Sequence, residues 1–138
     1  MPTAKQRRYC IVNPDGGALS VRLQATNALR AGADFKLRPE SGQPAVEAWK
    51  QAAGDSGSSE HALEIKAKDT EHHVLSWEIL VCALVPAIDQ GTVEVQVMQD
   101  GASCAMTKLA QWQLEGVPGC ATNKQDSIKG NLVFLTHA

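Results

Sequence analysis

VLSWEILVCALV, from Val74 to Val85, is the stretch that decides the fold, and it contains neither glycine nor proline. Every second residue in it is apolar, beginning at Leu75. The other parity starts polar at Ser76 and Glu78 and then turns apolar at Leu80, Cys82 and Leu84. Alternation is typical of a half-buried strand, and apolar residues on both parities indicate cover on both faces. We therefore predict a central strand whose second half is covered twice.

The rest of the chain shows similar apolar patterns separated by turn residues. The seven further predicted strands are Arg8–Val12, Ala18–Ala25, Ala33–Arg38, His61–Lys68, Thr92–Met98, Met106–Leu114 and Ile128–Thr136. Together they predict a mainly β protein, an antiparallel sandwich or barrel of about eight strands with at most one short helix. The 138 residues fit a single β-rich domain over 1–138.

The best hairpin candidate is Val74 to Met98, with a turn at Asp89 to Gly91. In that hairpin Val81 and Val95 would be buried on facing strands. The segment from Gln43 to Ala53 is ambiguous.

Pro44 suits the first turn of a helix and Gly54 suits its end, whereas the AVEAW sequence also fits an edge strand. The helix is favoured. The strand alternative turns Gly54 to Ser59 into a long hairpin loop.

The composition points to a folded domain without a strong pull toward nucleic acid. Hydrophobic residues make up 43% of the chain, and the formal net charge is -2. One basic cluster, Lys5, Arg7 and Arg8, is expected to be solvated. We see no secretory signal and no apolar run long enough to span a membrane, so we expect a cytoplasmic protein.

None of the four cysteines forms a CxxC pair, so a zinc knuckle or a redox motif is not predicted. Cys10 and Cys82 lie in apolar strand patterns and are expected to be buried thiols. Cys104 and Cys120 lie in loop-like sequence and could pair with each other.

The histidines are the first candidates for chemistry, because imidazole and carboxylate together can bind zinc. Adjacent residues on a strand point to opposite faces, so neighbouring histidines cannot both ligate one ion there. We expect solvated histidines, no metal and no cofactor. The alternative metal set is His61, His72, His73 and Glu78. Serine-elbow and phosphate-loop motifs are not found, so we predict no catalytic residue.

Two other surfaces are candidates for binding. Trp49 and Trp112 have polar neighbours and could form a stacking platform for a ligand, whereas Trp77 shares a parity with core residues. Leu80, Cys82 and Leu84 make an apolar strip that needs cover, either from the segment at 45–53 or from a second subunit.

These observations favour a non-catalytic binding or assembly module with an unknown small ligand or protein partner, and a homodimer is one option. A charged residue at Leu84 should then split the dimer. The alternatives are a small metal-dependent enzyme using the histidine set, and a structural subunit of a repeating assembly. Nucleic acid and membrane are not expected as partners.

Overall fold

The computed structural model describes residues 9–26, 29–40, 42–54, 57–83, 92–100, 102–103, 111–113, 120 and 126–136. These residues form two sheets arranged as a sandwich rather than a closed barrel, which confirms the predicted mainly β fold. The strands are β1 Tyr9–Ile11, β2 Leu19–Ala25, β3 Leu29–Arg38, β4 Glu47–Gly54, β5 Ser58–Ala62, β6 Val74–Ala83, β7 Thr92–Gln99, β8 Ala102–Ser103, β9 Gln111–Gln113 and β10 Asp126–Leu135. Within these ranges no helix is long and apolar enough to cross a membrane.

Sheet one has the strand order β1-β10-β6-β3-β4, and sheet two has the order β5-β2-β7-β8, with β9 also paired to β7. Every pairing is antiparallel except that of β1 with β10, which is parallel. β6 lies in the middle of sheet one, between β10 and β3, so the predicted central strand is confirmed. Its inward parity, which includes Leu75, Ile79 and Val81, is fully buried in the core.

The predicted hairpin from Val74 to Met98 is wrong. β6 belongs to sheet one and β7 to sheet two, where β7 pairs with β2 over Leu19 to Ala25. Val81 and Val95 are both fully buried as expected, but they enter the core from opposite sheets. Alternation shows which side chains are buried and leaves the choice of pairing partner open, because a strand of either sheet can fill the same core.

The favoured helix at 43–53 is also wrong, since the region forms the edge strand β4, paired with β3. Its residues alternate with period two. Gln51 and Ala53 are buried, whereas Ala48, Lys50 and Ala52 are exposed. Hydrogen bonding to β3 and burial of one parity outweigh a helix start signal at Pro44.

The predicted strand His61–Lys68 is wrong over most of its length, because β5 covers Ser58–Ala62 and shares only His61 and Ala62 with it. β5 ends at Ala62, and a short 3-10 helix follows at Ala67–Asp69. β4 and β5 lie in different sheets, so they do not form a hairpin with each other. The backbone N–H of Gly57 donates to the Gly54 carbonyl at 3.0 Å.

An aromatic row crosses the inner face of sheet one, in which Trp49, Phe35 and Trp77 are register partners on β4, β3 and β6. The Phe35 and Trp49 rings stack at 5.4 Å between centroids, and Phe35 and Trp77 are tilted at 6.5 Å. Gly130 on β10 ends the row opposite Trp77. Trp77 is buried, as its parity predicted.

The cysteine expectations are corrected by a disulfide between Cys82 and Cys120, whose Cα atoms are 4.9 Å apart. Cys82 is therefore not a free thiol, and Cys120 does not pair with Cys104. Cys10 is disulfide-bonded as well, so it is not a thiol either. Cys82 has the outward parity of β6, so the disulfide fixes Cys120 against the outer face of sheet one.

Candidate functional site

The histidines and the glutamate of the alternative metal set are dispersed over the fold. His61 lies on β5 in sheet two, and Glu78 lies on β6 in sheet one, where its carboxylate is 3.2 Å from Lys129 Nζ. His72 and His73 occupy the turn before β6, and His72 has a left-handed φ of 64°. Across the described ranges, no group of three or more His, Cys, Asp or Glu side chains is placed to hold a metal ion.

The structure instead brings Trp49 and His61 together, two residues that the sequence offered for different roles. They belong to an edge cluster, formed by Glu47, Trp49 and Gln51 on β4 and by Ser59 and His61 on β5. It lies where the edge strand of sheet one meets the edge strand of sheet two. The Trp49 and His61 rings stack at 4.1 Å between centroids with an interplanar angle of 12°.

Glu47 and His61 are the titratable members of the edge cluster. His61 Nε2 lies 2.8 Å from Glu47 Oε1, with side-chain exposures of 30% and 11%. The Glu47 carboxylate also accepts the backbone N–H of Glu64, at 3.2 and 3.4 Å from its two oxygens. Through these contacts the Glu47 carboxylate joins β4 of sheet one to the end of β5 of sheet two.

Gln51 is the member of the edge cluster that sequence reasoning missed. Its Nε2 donates to the Val21 carbonyl at 3.1 Å and to both the carbonyl and the hydroxyl of Ser59 at 3.2 Å. Its Oε1 accepts from Trp49 Nε1 at 2.7 Å. The available signal was its parity, which it shares with Trp49 and Ala53 once the segment is treated as a strand.

The edge cluster leaves limited room for a stacking ligand. The Trp49 indole is already stacked on the rings of Phe35 and His61. A ligand that stacked on this indole would have to displace the Phe35 ring or the His61 ring. The other predicted platform residue, Trp112, lies on β9 opposite Val93, and its side chain falls outside the described part of the chain.

Of the predicted apolar strip, the structure describes Leu80 and Cys82 on the outer parity of β6 in sheet one. Leu80 is 39% exposed there. Cys82 is only 4% exposed and is engaged in the disulfide, while Leu84 lies outside the described residues. The segment at 45–53 cannot cover the strip, because β4 lies in the same sheet, beyond β3.

Sheet register arranges this outer face into five rows that run across the strands. The row beyond Leu80 contains Gly54, Arg30 and Cys82, of which Arg30 is exposed. The Leu80 row contains Ala52, Gly32, Leu80 and Ser127. The charged row contains Lys50, Asp34, Glu78 and Lys129, and the mixed row contains Ala48, Lys36, Ser76 and Asn131. The Val74 row contains Arg38, Val74, Val133 and Tyr9. Val46, just before β4, adjoins the Val74 row.

The Leu80 row and the Val74 row are the ones that carry or adjoin large exposed apolar side chains. In the Val74 row, Tyr9 is 40% exposed and the adjoining Val46 is 58% exposed. Arg38 interrupts this row, and its Nη1 donates to the Ser76 hydroxyl at 2.9 Å. The charged row holds two ion pairs, Lys50 with Asp34 at 3.9 Å and Lys129 with Glu78 at 3.2 Å. The face is therefore charged between the Leu80 row and the Val74 row, and exposed Arg30 lies beyond the Leu80 row.

Comparisons of the chain with protein-family models, with curated proteins and with solved structures found no match. A sandwich fold by itself does not imply a function.

Proposed function

We propose that the protein is a non-catalytic assembly module that associates through the outer face of sheet one. The observation that carries the proposal is the exposure of large apolar side chains toward both ends of this face, Leu80 toward one end and Tyr9 and Val46 toward the other. Charged side chains separate the two apolar ends, and protein interfaces also combine apolar and charged surface. A sandwich does not need such residues on its outer face, because its core is supplied by the inner faces.

The positions of the titratable groups support the non-catalytic part of the proposal. His61 and Glu47 bridge the two sheets, and Glu78 pairs with Lys129. A metal-dependent enzyme using the histidine set would need His61 and Glu78 to converge, and these two residues lie in different sheets. The stacked environment of Trp49 gives less support to a ligand platform than the outer face gives to association.

The disulfides bear on where such a module would act. Cys10, Cys82 and Cys120 are all disulfide-bonded. Disulfides persist in oxidising compartments and are rare in the cytosol. We therefore propose an oxidising compartment in place of the cytoplasm that the sequence suggested.

The association is tested by light scattering on the wild type across a dilution series. We expect the mass to increase with concentration. Leu80→Glu should weaken the affinity of the association on the order of tenfold or more, because the charge would be buried in the contact. The matched control is Ala62→Glu, which places the same charge on an exposed residue of β5 in sheet two. A wild type that remains monomeric at the highest concentration would refute the proposal.

A further inference from the structure

We propose that the partner is a second copy of this chain, stacked face to face on the outer face of sheet one. The two-fold axis of the pair would lie between the two stacked faces and run parallel to the rows. Its position would be midway between the charged row and the mixed row. This inference rests on the proposed function, whose test is already one of self-association, and it adds the arrangement of the contact between the two copies. It uses the register of the rows, which is fixed by the pairing of β4, β3, β6 and β10.

The spacing of the rows defines what such an axis does. Neighbouring rows are two residues apart along a strand, or about 7 Å at the usual rise of a β-strand. A two-fold axis midway between the Leu80 row and the Val74 row exchanges these two rows with each other, and it exchanges the charged row with the mixed row. Each strand then lies over its own counterpart, and the contact is self-complementary, as an isologous dimer requires.

Two apolar contacts form under this exchange, one on β6 and one on β4. Leu80 faces Val74 of the second copy, because both lie on β6. Ala52 faces Val46 of the second copy in the same way, at the edge formed by β4. The disulfide at Cys82 lies one row beyond Leu80, at a level where β6 of the second copy has already ended, so it bounds the contact on that side.

The charges select this axis over its neighbours. Asp34 faces Lys36 of the second copy, and symmetry repeats the pair, so two opposite-charge contacts form near the centre. An axis through the charged row would instead place Asp34 on Asp34 and Lys50 on Lys50. An axis through the mixed row would place Lys36 on Lys36. Juxtaposed like charges disfavour an interface, whereas complementary charges fix its register.

The arrangement is tested by a charge swap measured as a dimer dissociation constant in sedimentation equilibrium. Asp34→Lys alone and Lys36→Asp alone should each weaken the dimer about tenfold, because each creates two like-charge contacts. The double variant, which exchanges the charges, should return to within about threefold of the wild type. Both side chains are exposed, so the fold should tolerate the changes; circular dichroism checks this.

The control and the outcomes separate this inference from the proposed function. Glu94→Lys makes the same change of charge on the outward parity of β7 in sheet two, and it should leave the constant unaltered. If Leu80→Glu splits the dimer but the double variant stays as weak as the single ones, the arrangement is overturned and association through the face stands. If the wild type is a monomer at every concentration, both fall together.

Discussion

At the scale of single residues, Gly130 shows how the core constrains one position on a strand. A Cβ atom added to Gly130 would lie 2.6 to 2.7 Å from the Cζ2, Cε2 and Nε1 atoms of Trp77. The indole lies in the space that any other residue would occupy. A glycine inside a strand often marks such a close approach. Because Gly130 has no side chain, the large indole of Trp77 fits beside it and keeps its place in the aromatic row.

We expect Gly130→Ala to lower the free energy of unfolding by about 1–3 kcal/mol, because the added methyl group forces the buried indole to shift. Urea denaturation measures the loss, and near-ultraviolet circular dichroism reports the environment of the tryptophan. The control is Gly32→Ala on β3, where a Cβ atom meets nothing within 4 Å. It should be neutral or slightly stabilising. Equal effects of the two substitutions would contradict the steric explanation.

Gln51 supplies a second residue-scale prediction. Gln51→Leu would remove the partners of the Val21 carbonyl and of Trp49 Nε1, so we expect a loss of about 1–3 kcal/mol of stability. Thermal and urea unfolding measure it. The same substitution at the exposed Gln43 is the control and should have little effect. A Gln51→Leu variant as stable as the wild type would show that these hydrogen bonds contribute little.

At the scale of elements, the side chains of the two parities of β6 lie in different environments. The inward parity fills the core, and the outward parity presents Leu80 and Glu78 on the outer face of sheet one. Charge is tolerated on the outward side and excluded from the inward one, because successive side chains of a strand point in opposite directions. One strand therefore supplies both the core and the proposed interface.

We expect Val81→Asp to prevent folding, because it would bury an unpaired carboxylate at a position that is fully buried. The neighbouring change Leu80→Asp should leave the fold intact. Circular dichroism and the yield of soluble protein distinguish the two. A soluble Val81→Asp variant with an unchanged melting temperature would show that the assignment of parity is incorrect.

At the scale of the whole molecule, the edge cluster and the Cys82–Cys120 disulfide act at different places. The edge cluster joins β4 of sheet one to β5 of sheet two through His61, Glu47 and Gln51. The disulfide fixes Cys120, which follows β9 of sheet two in the chain, to β6 of sheet one. The edge cluster therefore links the two sheets through side chains, whereas the disulfide ties Cys120 to sheet one.

We expect the double variant Cys82→Ala with Cys120→Ala to lose about 4 kcal/mol of stability, because the disulfide spans 38 residues and restricts the unfolded chain. Urea denaturation without a reducing agent measures this loss while leaving the Cys10 disulfide in place. The wild type treated with a thiol reductant should lose at least as much. A double variant within about 1 kcal/mol of the wild type would contradict the loop-entropy argument.

The sequence by itself determined the class of fold and much of the core, because period-two alternation is a local property of each strand. β2, β6 and β7 were predicted on this basis with the correct inward residues. Tertiary structure alone decided that β6 and β7 lie in different sheets and that β4 is a strand. It also paired Cys82 with Cys120 and brought Trp49 to His61. Each of these features depends on contacts between residues distant in sequence, and the free energy of such contacts is not encoded in any local pattern.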